Sequence, residues 1–406
     1  MMRSMFSGVS GLKVHQQQMD VIGNNISNVN TVGYKASRVT FQEVYSQTIK
    51  SATGSTATRG GTNPTQVGLG VSLGTIDVLH TRSGAQRTDK ATDLSIEGEG
   101  FFVVSDGESN YYTRAGNFDI DRLGNLVTSN GLTVMGWQRN EPTSTAPKAI
   151  NLSGLSMPAK QTDSLTFNGN LSADTKDDDI ENYTISFFDS LGREHKLELM
   201  FQKTETPNRW TLTLDAPEGS RYRIETGATP NIIEFDDNGI INTGLTGQVS
   251  VSIDGISTPM NIDLDFAKLT QSAGNTNLKG EQIGGYTAGT IESISIDSNG
   301  VITGLYTNGQ SQEEWRIAMA YFTNPAGLTK LGNNLFQKST NSGEADLGVA
   351  GEGGLGVLNP GSLEMSNVDL AEEFTNMIIA QRGFQANSRI ITTSDEMLQE
   401  LVNLKR

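Results

Sequence analysis

The residues that could do chemistry in this 406-residue chain are three histidines, a few carboxylate clusters and one glycine-rich loop; cysteine is absent. His15, His80 and His195 fall on a predicted helix and two predicted strands, with no second ligand type at metal spacing beside any of them. Without cysteine there is no disulfide framework, thiol nucleophile or thiolate metal site. Asp119, Asp121 and Gly124 begin like a calcium loop, but the fifth position is Leu123 and the twelfth is Asn130 rather than Glu, so a hairpin turn accounts for them better. Gly351, Gly353 and Gly356 spell the phosphate-cradling GxGxxG, yet they follow no clear strand, open no helix, and Glu352 would oppose a phosphate. They read as a flexible loop. Asp236 and Asp237 sit in a predicted turn, where solvated carboxylates are the default. No catalytic, cofactor-binding or metal-ligating residue is therefore expected, and no cofactor. Sequons at Asn25, Asn151, Asn170 and Asn182 are short enough to arise by chance.

Composition narrows the partners. A formal charge of -16, with no local lysine or arginine cluster, repels phosphate backbones, so nucleic acid is not an expected partner. Hydrophobic content of 35% with 45 glycines and 10 prolines describes a turn-rich globular protein of two or three domains. The opening MMRSMFSGVSGLKVH lacks the apolar stretch of ~7 to 15 residues that a cleaved signal needs. No run approaches the ~18 apolar residues of a membrane span, so membrane insertion is not expected.

The elements that would carry function lie at the two ends. From Met365 to Arg406 there is no proline and one glycine, and apolar residues recur at Leu370, Phe374, Met377, Phe384, Ile391, Leu398 and Val402. That three-four spacing is a heptad seam, with polar Gln381, Ser388 and Asp395 in its other slots. Ser366, three before Asp369, reads as a capping box, and Lys405 and Arg406 suit the negative end of the dipole. A helix of about 36 residues would be roughly 54 Å long. The first thirty residues carry a matching seam at Met5, Val9, Leu12, Met19 and Ile26. Gly8, Gly11 and Gly23 each cost about 1 kcal/mol in a helix, for which close helix approach is one reason. The apolar faces could be covered by the β body, by each other or by other copies; self-assembly is the sharper reading.

Between the ends the pattern turns to period two. FDIDRLGNLV, IEFDDNGII and ISIDSNGVI place Asp121/Gly124, Asp236/Gly239 and Asp297/Gly300 between short β-prone runs, a tight hairpin signature. Ser51 to Gln66 is small and polar, an extended or mobile connector, and Asp174 to Glu181 is a solvated acidic loop. The fold class is α+β, mainly β: discontinuous β domains between terminal amphipathic helices that form a coiled-coil-like assembly domain. The expected divisions are an assembly helix and turn (1–35), connector (36–75), first part of a shared β domain (76–139), outer β domain (140–283), second part of the shared domain (284–357) and C-terminal assembly helix (358–406).

Three tracts carry a resemblance. SGLKVHQQQMDVIGNNISNVNTVGYK (Ser10 to Lys35) resembles the amino-terminal signature of the bacterial flagellar rod and hook family. DLSIEGEGFFVVSDG with YYTRAGNFDIDRLGNLVTSNG (Asp93 to Gly131) resembles its shared β domain, and Leu358 to Arg406 resembles its carboxy-terminal helix. Ser186 to Leu214, within the large outer β domain, resembles hook members, whereas distal rod members lack that domain. The resemblance implies a non-enzymatic extracellular subunit of the flagellar hook, exported unfolded by the flagellar type III apparatus without a cleaved signal. Its implied partners are itself, as a helical homopolymer, and the rod, hook cap and hook-filament junction proteins. It also implies a flexible tube that transmits torque between rod and filament. On this reading Leu12, Met19, Ile26, Leu370, Phe374, Met377, Phe384, Ile391 and Leu398 form the assembly interface, while connectors including Gly136 to Pro158 act as hinges.

Overall fold

The computed structural model describes residues 2–55, 59–217, 220–225, 232–244, 246–254 and 259–404. Lys405 and Arg406, assigned to the helix dipole, lie outside the described residues. The chain forms two compact units. The first comprises Met1–Ser153, Ile294–Thr303 and Glu313–Arg406, and the second Gly154–Ser293 and Gly304–Gln312. Residues 140–153 thus fold with the first unit and 304–312 with the second.

In the first unit, strand Phe101–Ser105 pairs on one side with Asn110–Thr113 and on the other with Thr133–Gln138. These strands are apolar because both faces are covered: Phe101, Phe102, Val103 and Val104 are all buried. Phe101, Tyr112, Trp137, Ala320, Phe322 and Phe336 share one core cluster. Of the expected hinge Gly136 to Pro158, residues 136–153 are part of this body, and the division between the units falls within the segment, after Ser153. A Cβ on Gly136 would lie 2.4 Å from the Arg316 carbonyl oxygen; Trp137 Nε1 donates to the Thr145 oxygen at 2.7 Å, and Ile150 is buried. The glycines at 351, 353 and 356 also differ from the expected flexible loop, since Gly351 N donates to Gly356 O and Gly356 N to Glu99 O at 2.8 Å.

Helix α1 (Met2–Ser27) and helix α2 (Leu370–Leu404) belong to this unit. The cap of α2 is Asp369, not Ser366: its Oδ1 accepts from the amides of Ala371 (2.8 Å) and Glu372 (3.3 Å). Asp369 directly precedes the helix, so its carboxylate reaches orphan amides that Ser366, three residues earlier, cannot. The expected extended or mobile connector, Ser51 to Gln66, lies at the far end of a paired ribbon, and its residues 56–58 lie outside the described residues. Strand β1 (Ser37–Glu43) runs antiparallel to a fourth strand, Val71–Val78. Between them β2 (Ser46–Lys50) pairs with β3 (Thr65–Gly68), and Thr53 bridges Thr62. The fourth strand is β4.

The second unit holds two five-stranded sheets. Their facing apolar residues, including Phe167, Phe187, Leu199, Phe201, Trp210 and Phe266, form one core, as period-two alternation requires of a sandwich.

One turn recurs across both units. In each of the three expected hairpins the Asp carboxylate accepts two backbone amides and the Gly has positive φ: +82° at Gly124, +77° at Gly239 and +74° at Gly300. A fourth copy, Asp189 to Gly192, carries the same Asp-x-x-Gly spacing in the sequence and was not singled out there. Its carboxylate accepts from Leu191 N and Arg193 N, both at 2.8 Å, and lies 3.2 Å from His195 Nε2. Burial alone would raise the Asp189 pKa, but the Arg193 amide and His195 outweigh it and hold the carboxyl below its usual range. Replacing Asp189 by Ala leaves buried amides without an acceptor. Denaturant unfolding should show a loss of about 1–3 kcal/mol, larger than for Asp236→Ala in its more open turn.

Candidate assembly interface

The two terminal helices pair with each other. Ser4 Oγ lies 3.4 Å from Ser394 Oγ. A Cβ on Gly11 would stand 2.6 Å from Asn387 Nδ2, and one on Gly383 would stand 2.6 Å from His15 Nε2. Asn25 Nδ2 donates to Glu373 Oε1 at 2.7 Å. Partners rise along one helix as they fall along the other, so the pair is antiparallel. Its seam is built largely of small and polar residues: Gly8, Gly11, Val14, Ile22 and Asn25 are buried on α1, Ala380 and Ser394 on α2. Gly8 and Gly11 therefore have the close approach expected of them, whereas Gly23 has nothing within 4 Å of a built Cβ.

This seam lies one residue, about 100° of helix rotation, from the apolar stripe read in α1. The consequence is that the pair consumes the stripe only in part: Ile391 Cγ1 would stand 3.2 Å from a Cβ on Gly8. Leu12, Met19, Ile26, Met377, Phe384, Ile391 and Leu398 are half-buried, while Leu370 and Phe374 remain 39% and 49% exposed. Phe6, Ile378, Ile379, Ile390 and Met397 are further exposed apolar side chains of the helices, with Ile378 and Ile379 at 59% and 58%. An apolar band of this extent on a helix pair marks a contact surface.

The ribbon is seated on α1 at its base. Phe41 packs edge-on to His15 with ring centroids 5.8 Å apart, and Val71 N donates to Ser10 Oγ at 3.3 Å. Val44, Tyr45, Ile49, Val67 and Leu69 along the ribbon are exposed. A two-stranded ribbon is marginal alone in water, so it too lacks a covering.

Helices, ribbon and β body meet at a polar junction. Asn25 is 1% exposed and uses all four hydrogen-bonding positions: its Nδ2 donates to Ser37 O and Glu373, and its Oδ1 accepts from Ser37 N and Tyr34 Oη. That excludes its sequon in the folded chain. Asn367 accepts from Ala36 N at 2.7 Å and donates to Leu79 O and Thr81 Oγ1. Gly33, at φ +67°, crosses the body so closely that a Cβ would lie 2.6 Å from Ala115 N. Beneath it, Lys35 Nζ donates to Glu364 Oε1 at 2.6 Å and Thr81 O at 2.7 Å. Arg114 approaches Glu364 Oε2 at 3.5 Å, donates to Gly98 O, and lies over the Phe101 ring. Burial pushes both Lys35 and Arg114 below their usual pKa ranges against the pull of Glu364.

His80 faces Phe101 and Phe336 edge-on. Burial first, then the charges of Lys35, Arg114 and Lys330, lower its pKa from 6.5 to about 4, while a backbone hydrogen bond to Pro325 opposes the shift. Among the described residues no group of three or more histidines, cysteines or carboxylates gathers as a metal site, and the structure brings the three histidines to separate places.

Two outcomes follow from this junction. Glu364→Gln should cost about 3–5 kcal/mol in denaturant unfolding, because it leaves Lys35 buried without its carboxylate and Arg114 with only the more exposed Glu99; Lys35→Met with Glu364→Leu should cost less than that single change. As pH falls from 6.5 to about 4, the unfolded chain binds a proton at residue 80 that the folded chain refuses, so stability falls across that window and not below it. His80→Gln should remove that part of the slope, roughly 3 kcal/mol over the window, measured as the denaturation midpoint against pH.

Comparison with known proteins matches four family descriptions along the chain: Flagella basal body rod protein (residues 5–35), Flagellar hook protein FlgE/F/G D1 domain (95–178), Flagellar basal body protein FlaE D2 domain (157–286) and Flagellar basal body rod FlgEFG protein C-terminal (359–404). The chain is 40% identical to flagellar hook protein FlgE of Borreliella burgdorferi and 38% identical to that of Treponema pallidum, covering 100% of both chains in each case. It is 34% identical to flagellar basal-body rod protein FlgG of Bacillus subtilis, again over 100% of both. A crystal structure of Helicobacter pylori flagellar hook protein FlgE2 aligns with 15% identity and a TM-score of 0.48, covering 69% of this chain and 100% of that one.

Proposed function

The chain belongs to the flagellar hook and rod protein family as a structural subunit of the hook, and from that premise we propose how it assembles. The apolar band left open by the small-residue seam carries the reading. Half-buried Leu12, Met19, Ile26, Met377, Phe384, Ile391 and Leu398, with exposed Leu370 and Phe374, pack against helix pairs of neighbouring copies and hold the inner tube. The exposed ribbon residues Tyr45, Ile49 and Val67 add a second contact between copies. Each large side chain fully covered contributes about 1.5–3 kcal/mol, so a few per subunit fix the tube. The glycine-rich, polar β surfaces outside it make wetter, exchangeable contacts, which lets rows of subunits change spacing as the tube bends.

The remaining partners follow from the family: rod, hook cap and hook-filament junction proteins at the ends of the tube, and the flagellar type III export apparatus before assembly. Export of the unfolded chain proceeds without a cleaved signal, and the assembled subunit is extracellular. It performs no bond-making chemistry. A second reading, a distal rod subunit, rests on the full-length similarity to the Bacillus subtilis rod protein, against the large outer β domain that speaks for the hook.

Negative-stain microscopy of concentrated protein separates these readings: curved tubes are expected for a hook subunit and straight ones for a rod subunit. Phe374→Asp combined with Ile378→Asp should abolish tubes, while circular dichroism shows the β body unchanged. Normal tubes from that variant would remove the band from the interface.

A further inference from the structure

Five Asn-Gly dipeptides occur in the chain, at Asn130, Asn168, Asn238, Asn299 and Asn308. Asn-Gly is chemically labile because glycine offers no side chain to hinder its own nitrogen. In the reaction the Gly nitrogen attacks the Asn Cγ and a C–N bond forms. The Cγ–Nδ2 bond then breaks, and the amide nitrogen leaves as ammonia, taking up the proton lost from the Gly amide. The resulting succinimide adds water and opens to aspartate or isoaspartate. No oxidant or enzyme is needed.

The fold restrains these five sites unequally. Asn168 lies in strand Ser164–Ser172, paired on both sides by Met260–Ser272 and Lys279–Ile283. The other four close turns in which the Gly amide donates three residues back: Gly131 to Thr128 O, Gly239 to Asp236 O, Gly300 to Asp297 O and Gly309 to Tyr306 O. Three of those turns have a further brace. Asn238 N and Asn299 N each donate to an Asp carboxylate at 2.9 Å. The Asn308 side chain is held at both ends, Nδ2 by Thr287 O at 2.8 Å and Oδ1 by Gln310 N at 3.1 Å.

Asn130 has neither brace. The Thr128 hydroxyl accepts only Leu132 N, at 3.2 Å, and among the described residues nothing meets the exposed Asn130 side chain. The side chain borders a cavity of about 250 Å³ whose other walls include Thr31, Asn117, Asn333 and Asn334, all uncharged. No neighbouring carboxylate is therefore in place to discourage a further negative charge.

We propose that Asn130 is the site of spontaneous deamidation in the folded subunit. The product places a carboxylate in a neutral pocket, and its isoaspartate form lengthens the backbone of the turn that carries Val127 into pairing with Thr133.

The test is peptide mapping by mass spectrometry after incubating the folded full chain at pH 8. Isoaspartate at position 130 should accumulate roughly tenfold or more faster than at 308, because reaction requires the turn to open and the braced turn opens less often. Equal rates at the two positions, or Asn238 or Asn299 ahead of Asn130, would overturn the assignment. In concentrated urea the five rates should converge; if the folded-state order persists there, local sequence and not the fold sets it, and the proposal fails. Thr128→Asp supplies the carboxylate brace found at Asp236 and Asp297 and should slow position 130 to the rate of position 238. An unchanged rate in that variant would equally defeat the argument.

Discussion

The buried ion pair between Lys35 and Glu364 is the constraint on which the first unit depends. Two charges with side chains 0% and 3% exposed stay ionised only if they meet, and Arg114 adds a second cation to the same carboxylate. Such a group gives less net stability than an apolar core of equal volume, but it tolerates no other arrangement. Lys35 follows α1, Glu364 precedes α2, and Arg114 belongs to the β body. Satisfying one carboxylate therefore places both helices relative to that body, and the amides of Asn25 and Asn367 lock the approach on either side.

The helix pair then solves a conflict between packing within a subunit and packing between subunits. A seam of glycine, alanine, serine and asparagine, with Val14, Ile22 and Ile391 as its larger members, lets the helices approach closely while leaving most of their large apolar side chains unused. Those side chains remain on the outer faces of the pair, where neighbouring copies of a hook subunit can cover them. Had the leucines and phenylalanines formed the internal seam, the monomer would be more stable and the polymer would have less apolar surface to bury.

Much of this was legible in the sequence. Both helices, the β-rich middle and three Asp-x-x-Gly hairpins show as changes of period and as turn chemistry with a specific backbone demand. The fourth such turn, at Asp189, carried the same signal within DSLGR. What periodicity could not give was the face: a heptad of large residues looks like a seam whether its partner lies in the same chain or in another, and the true internal seam was marked by small residues that score as gaps. The ribbon was missed because its strands, rich in Ser, Thr and Gly, lack clear apolar alternation and are held mainly by backbone pairing, with hydroxyl contacts such as Thr40 to Thr75. Nor does anything local in the sequence announce that Lys35, Arg114 and Glu364 meet, since that contact exists only through topology.

That topology also sets an order of events. The contacts that complete the first unit join residues from the opening forty positions to residues from about the closing forty-five, and contacts so distant in sequence are slow to form because loop closure precedes any gain from them. A chain emerging from a narrow passage, whichever end leads, holds Lys35 or Glu364 without its counter-charge until nearly the whole length has cleared. The ion pair therefore cannot close before both ends of the chain are present, and neither can the helix pair, whose two members lie at those same ends.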